Sequence, residues 1–255
     1  MLPAPDAAAL AASQALAETI RAEIRSHGDW ISFARYMELA LYAPGLGYYA
    51  GGAAKLGAAG DFVTAPELGA LFSRTLAVQL RELLQPGDEI LELGAGSGAL
   101  AEVLLQELDC KYSILETSPD LRDRQQRRLG GRARWVERLP ERFRGVMLAN
   151  EVVDAMPVHA VAWSDSGVME RGVSQENGLF IWKEKPATGE SLGIAKSIPV
   201  HSPYQSEIGL AARAWIATLA ERLERGAILV IDYGFPAREY YHPQRAMGTD
   251  RTSGV

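Results

Sequence analysis

Residues Ile90-Leu-Glu-Leu-Gly-Ala-Gly-Ser-Gly98 form an apolar run that passes straight into a glycine turn, with the carboxylate of Glu92 just ahead of the first glycine. The pattern predicts a buried strand opening onto a ligand. In an open α/β sheet ligands lie beyond the carboxyl ends of the strands, and glycines let the backbone approach closely. Gly94, Gly96 and Gly98 have the spacing G-x-G-x-G. A dinucleotide fingerprint wants its third glycine one place later, where Ala99 stands, although alanine sometimes fills that place. Charge is a second discriminator. A pyrophosphate seeks the N–H groups of a helix N-terminus, whereas S-adenosylmethionine (SAM) carries a sulfonium and an ammonium, which Glu92 suits better. Against both readings stands the plain liking of any strand-to-helix turn for glycine.

The next apolar run, Tyr112-Ser-Ile-Leu-Glu116, ends in an acid about twenty residues beyond the turn, where a carboxylate can accept both hydroxyls of an adenosine ribose. This does not separate SAM from NAD. Because Thr117-Ser-Pro119 then starts a helix, Glu116 also reads as a polar residue at a strand end.

From Glu89 onward the pattern alternates: strand Ile90–Leu93, helix Ala99–Leu108, strand Tyr112–Leu115, helix Asp120–Leu129, strands Arg134–Val136 and Val146–Glu151. Such alternation argues for βαβ units and a mainly parallel sheet. Between Val158 and Lys185 apolar and polar residues alternate instead, with turns at Asp165-Ser-Gly167 and Asn177-Gly178, which predicts an antiparallel insertion. A helix carrying Ile208, Ala212, Trp215, Leu219 and Leu223 and closed by Gly226 follows, then a strand over Ala227–Gly234. Ahead of the sheet, one amphipathic helix ends near His27-Gly28 and a second covers Ile31 to Leu41. Thr64-Ala-Pro-Glu67 reads as a capping box opening a helix through Leu68, Leu71, Phe72, Leu76 and Leu80.

The strand ending in Asn150-Glu-Val-Val-Asp-Ala-Met-Pro157 sets Asn150, Glu151 and Asp154 at the same sheet edge as the glycine turn, where a substrate would meet a cofactor methyl. Guanidinium has no free lone pair at neutral pH. Carboxylates can hold it through a planar fork and localise its charge so that one nitrogen becomes nucleophilic, and Glu151 and Asp154 suit that task. The local alternative is that Asp154 caps a short helix and Asn150 satisfies the strand end.

Composition bounds the remaining classes. The chain has 255 residues, 47% hydrophobic, with a formal net charge of −6, enough for a full core. The cations between Arg122 and Arg128 are interrupted by acid and glutamine, so no nucleic-acid surface is expected. A lone Cys110 forms no internal disulfide and fits a reducing compartment, and the four histidines show no metal-ligand spacing with it. No apolar run reaches bilayer length, and the N-terminal segment lacks the make-up of a secretory signal or a transit peptide.

Gly60-Asp-Phe-Val-Thr-Ala-Pro-Glu67, Leu91-Glu-Leu-Gly-Ala-Gly-Ser-Gly98, Asn150-Glu-Val-Val-Asp-Ala-Met-Pro157 and Asp232-Tyr-Gly234, in this order, closely resemble the MidA-like family of SAM-dependent methyltransferases. Leu41-Tyr-Ala-Pro-Gly-Leu-Gly-Tyr-Tyr49 belongs to the same resemblance, which runs from about Ile31 to Arg245. The family includes a mitochondrial protein arginine methyltransferase needed for assembling respiratory complex I. The resemblance implies a Rossmann-like class I methyltransferase fold and SAM as cofactor. It places Glu92, Gly94, Gly96, Gly98 and Glu116 on SAM, and Asp61, Thr64 and Pro66 in a segment closing over it. Asn150, Glu151 and Asp154 fall at the substrate side. It departs at Ala58-Ala59, where family members usually carry basic residues.

The expected organisation is a helical and loop cap over residues 1–85 and a SAM-binding Rossmann-like domain over 86–255, interrupted by the insertion at about 158–205. The family continues well past the Tyr-Gly pair, and the polar tail from Ala246 to Val255 has no strand pattern, so the closing C-terminal strands are expected to be missing. An exposed edge strand would favour self-association into a homo-oligomer. The expected function is methylation of a protein arginine, the client a respiratory-complex subunit or a related protein. Cytoplasmic residence is expected, or the mitochondrial matrix in a eukaryote. The alternatives are a non-catalytic SAM- or client-binding assembly factor and, less favoured, an NAD-dependent oxidoreductase.

Overall fold

A computed structural model of the chain describes residues 7–50 and 64–246. Helix α1 (Ala7–Ser26) leads to β1 (Ile31–Ser32), α2 (Phe33–Tyr42), α3 (Ala65–Leu68) and α4 (Ala70–Leu83). Strand and helix then alternate through β2 (Glu89–Leu93), α5 (Ala99–Glu107), β3 (Lys111–Leu115), α6 (Pro119–Leu129), β4 (Arg134–Val136) and β5 (Phe143–Asn150). Next come β6 (His159–Ser164), β7 (Gly167–Glu176), β8 (Leu179–Pro186), α7 (Gly189–Ser197) and β9 (Tyr204–Ile208). Helix α8 (Leu210–Arg222), β10 (Leu223–Ile231) and α9 (Ala237–Tyr240) complete the series. The chain divides into two units, one of residues 52–155 and 214–233, the other of residues 1–51, 156–213 and 234–255.

The first unit holds five parallel strands in the order β10-β5-β2-β3-β4. The chain builds outward from β2 to β4 and then returns to the other side of β2 as β5. That reversal is a topological switch point, where open α/β sheets bind ligands. Ile90, Ile114, Val146 and Leu148 pack with Leu76 and Leu80 of α4 and Leu100 and Leu104 of α5. Their strand neighbours Leu91, Leu93, Met147 and Ala149 face the other way, toward Trp215 and Leu219 of α8. Both faces are therefore covered, as an all-parallel sheet requires. The Rossmann-like reading of the glycine-turn strand holds.

The second unit is an antiparallel sheet in the order β1-β7-β6-β9, with β8 pairing β7. The β7–β8 turn falls on Asn177-Gly178, both at positive φ (50° and 80°), as a two-residue hairpin turn demands. Ile20 and Ile24 of α1 and Leu39 of α2 share a core with Val173, while Ala195 of α7 packs with Val161, Trp163 and Tyr204.

Several local expectations are corrected. Thr64 makes no side-chain cap, and the helix it was to open breaks at Gly69. Leu68 and Leu71 are both 80% exposed, so the core stripe of α4 starts at Phe72 and runs through Leu76 and Leu80. Ile31 and Ser32 are strand residues paired with Val173 and Gly172, and Ser32 then caps α2. Ile208 ends β9, held by its pairing with His159, and Leu223 begins β10, so the helix between them is shorter than its apolar stripe. Gly226 lies within β10 opposite Gly145 rather than closing the helix. Helix α7 and strand β9 had no counterpart in the sequence pattern.

Candidate functional site

The candidate site residues that are described all belong to the unit with the parallel sheet. At the C-terminal end of β2 the turn places Gly94, Gly96 and Gly98 at φ of 68°, 54° and 82°. L-residues rarely adopt this left-handed region, which explains glycine at all three places. Gly94 N–H donates to the Leu115 carbonyl at 3.0 Å, tying the turn to β3, and Gly98 N–H donates to Ala95 at 2.8 Å. Among the described residues, the N–H groups of Gly96 and Ser97 have no acceptor.

Glu116 follows β3 directly. Its Oε1 accepts the Ser118 N–H and its Oε2 accepts Gln125 Nε2, each at 2.9 Å. Burial pushes this carboxyl above its usual range, and those hydrogen bonds oppose the shift. Gln125 Nε2 also donates to the Gly96 carbonyl at 2.9 Å, and Gln125 Oε1 accepts the Trp135 indole N–H at 2.9 Å. The turn and the acid are thus joined through one amide. Sequence reasoning missed Gln125, yet it had a signal. The residue sits midway between Leu121 and Leu129 on the stripe that α6 turns to the core, a place where an apolar residue is expected.

Glu92 is only 2% exposed and accepts the Tyr112 hydroxyl at 2.8 Å. Loss of solvent pushes its carboxyl up to about 7, with the hydrogen bond from Tyr112 opposing and the charge of Glu116 adding to the rise. The proton is thus held more tightly on this carboxyl than on an exposed one.

Ser97 is held from two sides. Its hydroxyl donates to Glu67 Oε1 of α3, and Arg128 donates to the Ser97 carbonyl at 3.1 Å and to its hydroxyl oxygen. Arg128 in turn pairs with Glu102 at 3.4 Å. The Glu67 expected as a capping partner is thus spent on the glycine turn. Thr64 and Pro66, the start of α3, come near the turn through that residue, and Asp61 lies outside the described residues.

Asn150 ends β5, beside β2, and the following loop folds back to the turn: a Cβ added to Gly94 would lie 3.1 Å from Val152 Cγ2. Glu151 has φ of 51°, a left-handed conformation that costs a bulky residue energy, and its N–H donates to the Ile231 carbonyl at 2.8 Å. Asp232 fixes the loop further, since its Oδ2 accepts the N–H groups of Val153 and Asp154 at 3.0 and 3.2 Å. The Tyr233 hydroxyl donates to Asp154 Oδ2, and this bond is the main reason its phenol is pushed up to about 12. The helix-cap alternative for Asp154 is not what its side chain does here. Strained backbone, two carboxylates and a tyrosine at one exposed strand end make an arrangement able to grip a cationic, planar group.

Among the described residues, no group of His, Cys, Asp or Glu is placed to hold a metal ion, and no helix is long and apolar enough to cross a membrane.

A doubly wound parallel sheet with a triple-glycine turn at its switch point, and an acid at the end of the neighbouring strand, defines a Rossmann-like nucleotide-binding fold of the class I methyltransferase kind. Residues 71–252 match the family model described as "Putative S-adenosyl-L-methionine-dependent methyltransferase", and the chain belongs to that family, the MidA-like methyltransferases. A COG1565 superfamily member from Burkholderia thailandensis, solved bound to S-adenosyl-homocysteine (SAH), is 46% identical. The match has a TM-score of 0.91 and covers 97% of this chain and 70% of that one. The mitochondrial "Protein arginine methyltransferase NDUFAF7 homolog" of Drosophila melanogaster is 29% identical over 266 residues, 86% of this chain and 60% of that protein. The Danio rerio protein of that name is 29% identical over 251 residues, 80% and 58%. The chain therefore spans about 60% of the length of these curated relatives.

Proposed function

We propose that this chain binds SAM across the C-terminal ends of β2 and β3 and methylates an arginine side chain of a protein client. The observation that carries the reading is the left-handed Gly94–Gly98 turn joined through Gln125 to Glu116. The residues fit the cofactor. Each Glu116 oxygen keeps lone-pair capacity for a ribose hydroxyl, and the N–H groups of Gly96 and Ser97, which have no acceptor among the described residues, suit a carboxylate. Gly94, Gly96 and Gly98 let the turn keep the left-handed backbone on which those N–H groups are presented. Glu92 acts on the cationic end of the cofactor, and Thr64 and Pro66 border the same cofactor, as the family pattern implies. When bound, SAM supplies an electrophilic methyl group on its sulfonium.

Glu151 and Asp154 then hold the guanidinium in a fork, with Asn150 beside them, and draw its charge away from one nitrogen so that this nitrogen presents a lone pair. Tyr233 keeps the Asp154 carboxylate oriented, and Asp232 keeps the loop in place. In this reading the cofactor belongs to the unit of residues 52–155 and 214–233, which takes in part of the 1–85 segment and leaves out the insertion at about 158–205. The client is a respiratory-complex subunit or a related protein. The site of action is the cytoplasm, or the mitochondrial matrix in a eukaryote, and self-association is expected. The support is the family and the relatives' names together with the carboxylate pair.

Titration calorimetry with SAM, SAH and NAD tests the cofactor, and transfer of labelled methyl to arginine-only and lysine-only peptides tests the chemistry. Binding of SAM and SAH but not NAD, with label only on arginine, is expected. NAD binding without SAM binding overturns the first part, and equal labelling of lysine the second. SAM binding with no transfer to any client would leave a non-catalytic assembly factor.

A further inference from the structure

We propose that Gln125 is a positioning residue that locks Glu116 to the glycine turn and thereby sets the affinity for the adenosine part of the ligand. The inference rests on the cofactor reading above and extends it to a residue that would not itself touch the ligand. Gln125 is fully buried, and its side-chain amide is hydrogen-bonded on both sides. One amino group serves two acceptors, Glu116 Oε2 and the Gly96 carbonyl, both at 2.9 Å. The amide oxygen takes the Trp135 indole N–H at 2.9 Å. The indole only donates and the Gly96 carbonyl only accepts, so the amide has one orientation that satisfies all three partners.

The geometry matters because the two halves of the cofactor site come from different strand–helix connections. The turn joins β2 to α5, and Glu116 lies between β3 and α6. Among the described residues, the Glu116 side chain is otherwise held by backbone N–H groups of its own loop, at Thr117 and Ser118. The Ser118 N–H anchors Oε1 within that loop and leaves the carboxylate free to rotate about that contact. Gln125 removes that freedom and aims the second oxygen relative to Gly96. A carboxylate that must accept two hydroxyls at once gains from having its orientation settled before binding.

The test is a coupling experiment with SAH as the probe, read by calorimetry on the wild type, Q125L, W135F, E116A and the double variants. Wild type is expected to bind. Q125L should weaken SAH about tenfold, and W135F about threefold, because the amide keeps its bonds to Glu116 and Gly96 but loses the group that orients it. In the E116A background each change should weaken SAH by less than about twofold, since its effect runs through an acid no longer present. A purely structural role would lower the melting temperature and reduce affinity by the same factor in both backgrounds, which overturns the proposal. Should Q125L fail to fold, the W135F and E116A cycle decides alone, and W135F binding SAH like wild type overturns it. Wild type that binds no SAH overturns the cofactor reading and this inference together. Wild type that binds while both variants match it overturns this inference only.

Discussion

The two five-stranded sheets of this chain bury very different polar groups. In the parallel unit the buried polar residues include Glu92, Gln125 and Asp88, two of them ionisable and all in hydrogen-bonded networks. In the antiparallel unit they are the serines Ser174, Ser191 and Ser206, of which Ser174 and Ser191 donate to backbone carbonyls. Burying a serine that has found a carbonyl costs little, while burying a carboxylate costs several times more even when it is partnered. The parallel unit thus carries ionisable groups whose burial opposes stability. Such groups gather where a site must be held in fixed geometry.

The sharpest way to break this contrast is to make one substitution in both sheets. Gly96 and Gly178 both sit in left-handed turns, at φ of 54° and 80°. Gly178→Val should cost about 1–2 kcal/mol of stability from backbone strain and leave SAH binding unchanged. Gly96→Val carries the same strain and also puts a branched side chain in the ligand's path, so SAH binding should vanish in calorimetry. Retained binding in the second variant, or lost binding in the first, would remove the functional difference between the two turns.

A smaller effect is expected at the β5 loop. Glu151→Gln and Asp154→Asn keep shape but remove the charge that would polarise a guanidinium, so turnover should fall about 10²-fold or more while SAM affinity stays nearly constant. Glu170, paired with His159 at 2.7 Å in the antiparallel unit, supplies the control, since Glu170→Gln should leave turnover alone. Undiminished turnover in both loop variants would sink the role given to these carboxylates.

Next in size comes Glu116→Ala, which should weaken SAM by ~1.5–3 kcal/mol through lost charge-assisted hydrogen bonds. Unchanged affinity would move the adenosine elsewhere. Glu116 also marks how far the sequence could be read. Strands whose residues are apolar on both faces, such as Ile90–Leu93, and hairpins with an Asn-Gly turn announce themselves, because burial and turn geometry are local demands. The capping box ahead of α3 and the span of α8 were misread because tertiary partners overrode local preference. Glu67 is taken by Ser97 instead of closing a capping box, and Ile208 is held in β9 by His159. Glu116 was legible as an acid at a strand end, whereas its link to Gly96 was not. That link depends on α6 delivering Gln125 across the turn, and no spacing along the chain encodes a contact between separate strand–helix connections.

The finest test separates the sheets by pH. Glu92 holds its proton up to about 7 in the folded chain, against an ordinary value of 4.5. Between those limits the native state binds more protons than the unfolded state, so stability falls as pH rises through the window and levels off above it. Glu92→Gln cannot titrate and still offers an oxygen to the Tyr112 hydroxyl. The variant should match wild type near pH 4.5 and become more stable than it by ~1–2 kcal/mol at pH 8, the idealised cost being reduced by relaxation of the site. Ser174→Ala in the antiparallel unit should instead differ from wild type by the same amount at every pH, because a hydroxyl bound to the Asp29 carbonyl exchanges no proton in this range. Urea melts of the three proteins from pH 4.5 to 8 make the comparison. A Glu92→Gln difference that stays flat across the window would mean that the buried acid is ionised throughout, and that the parallel sheet carries no titrating burden the antiparallel sheet lacks.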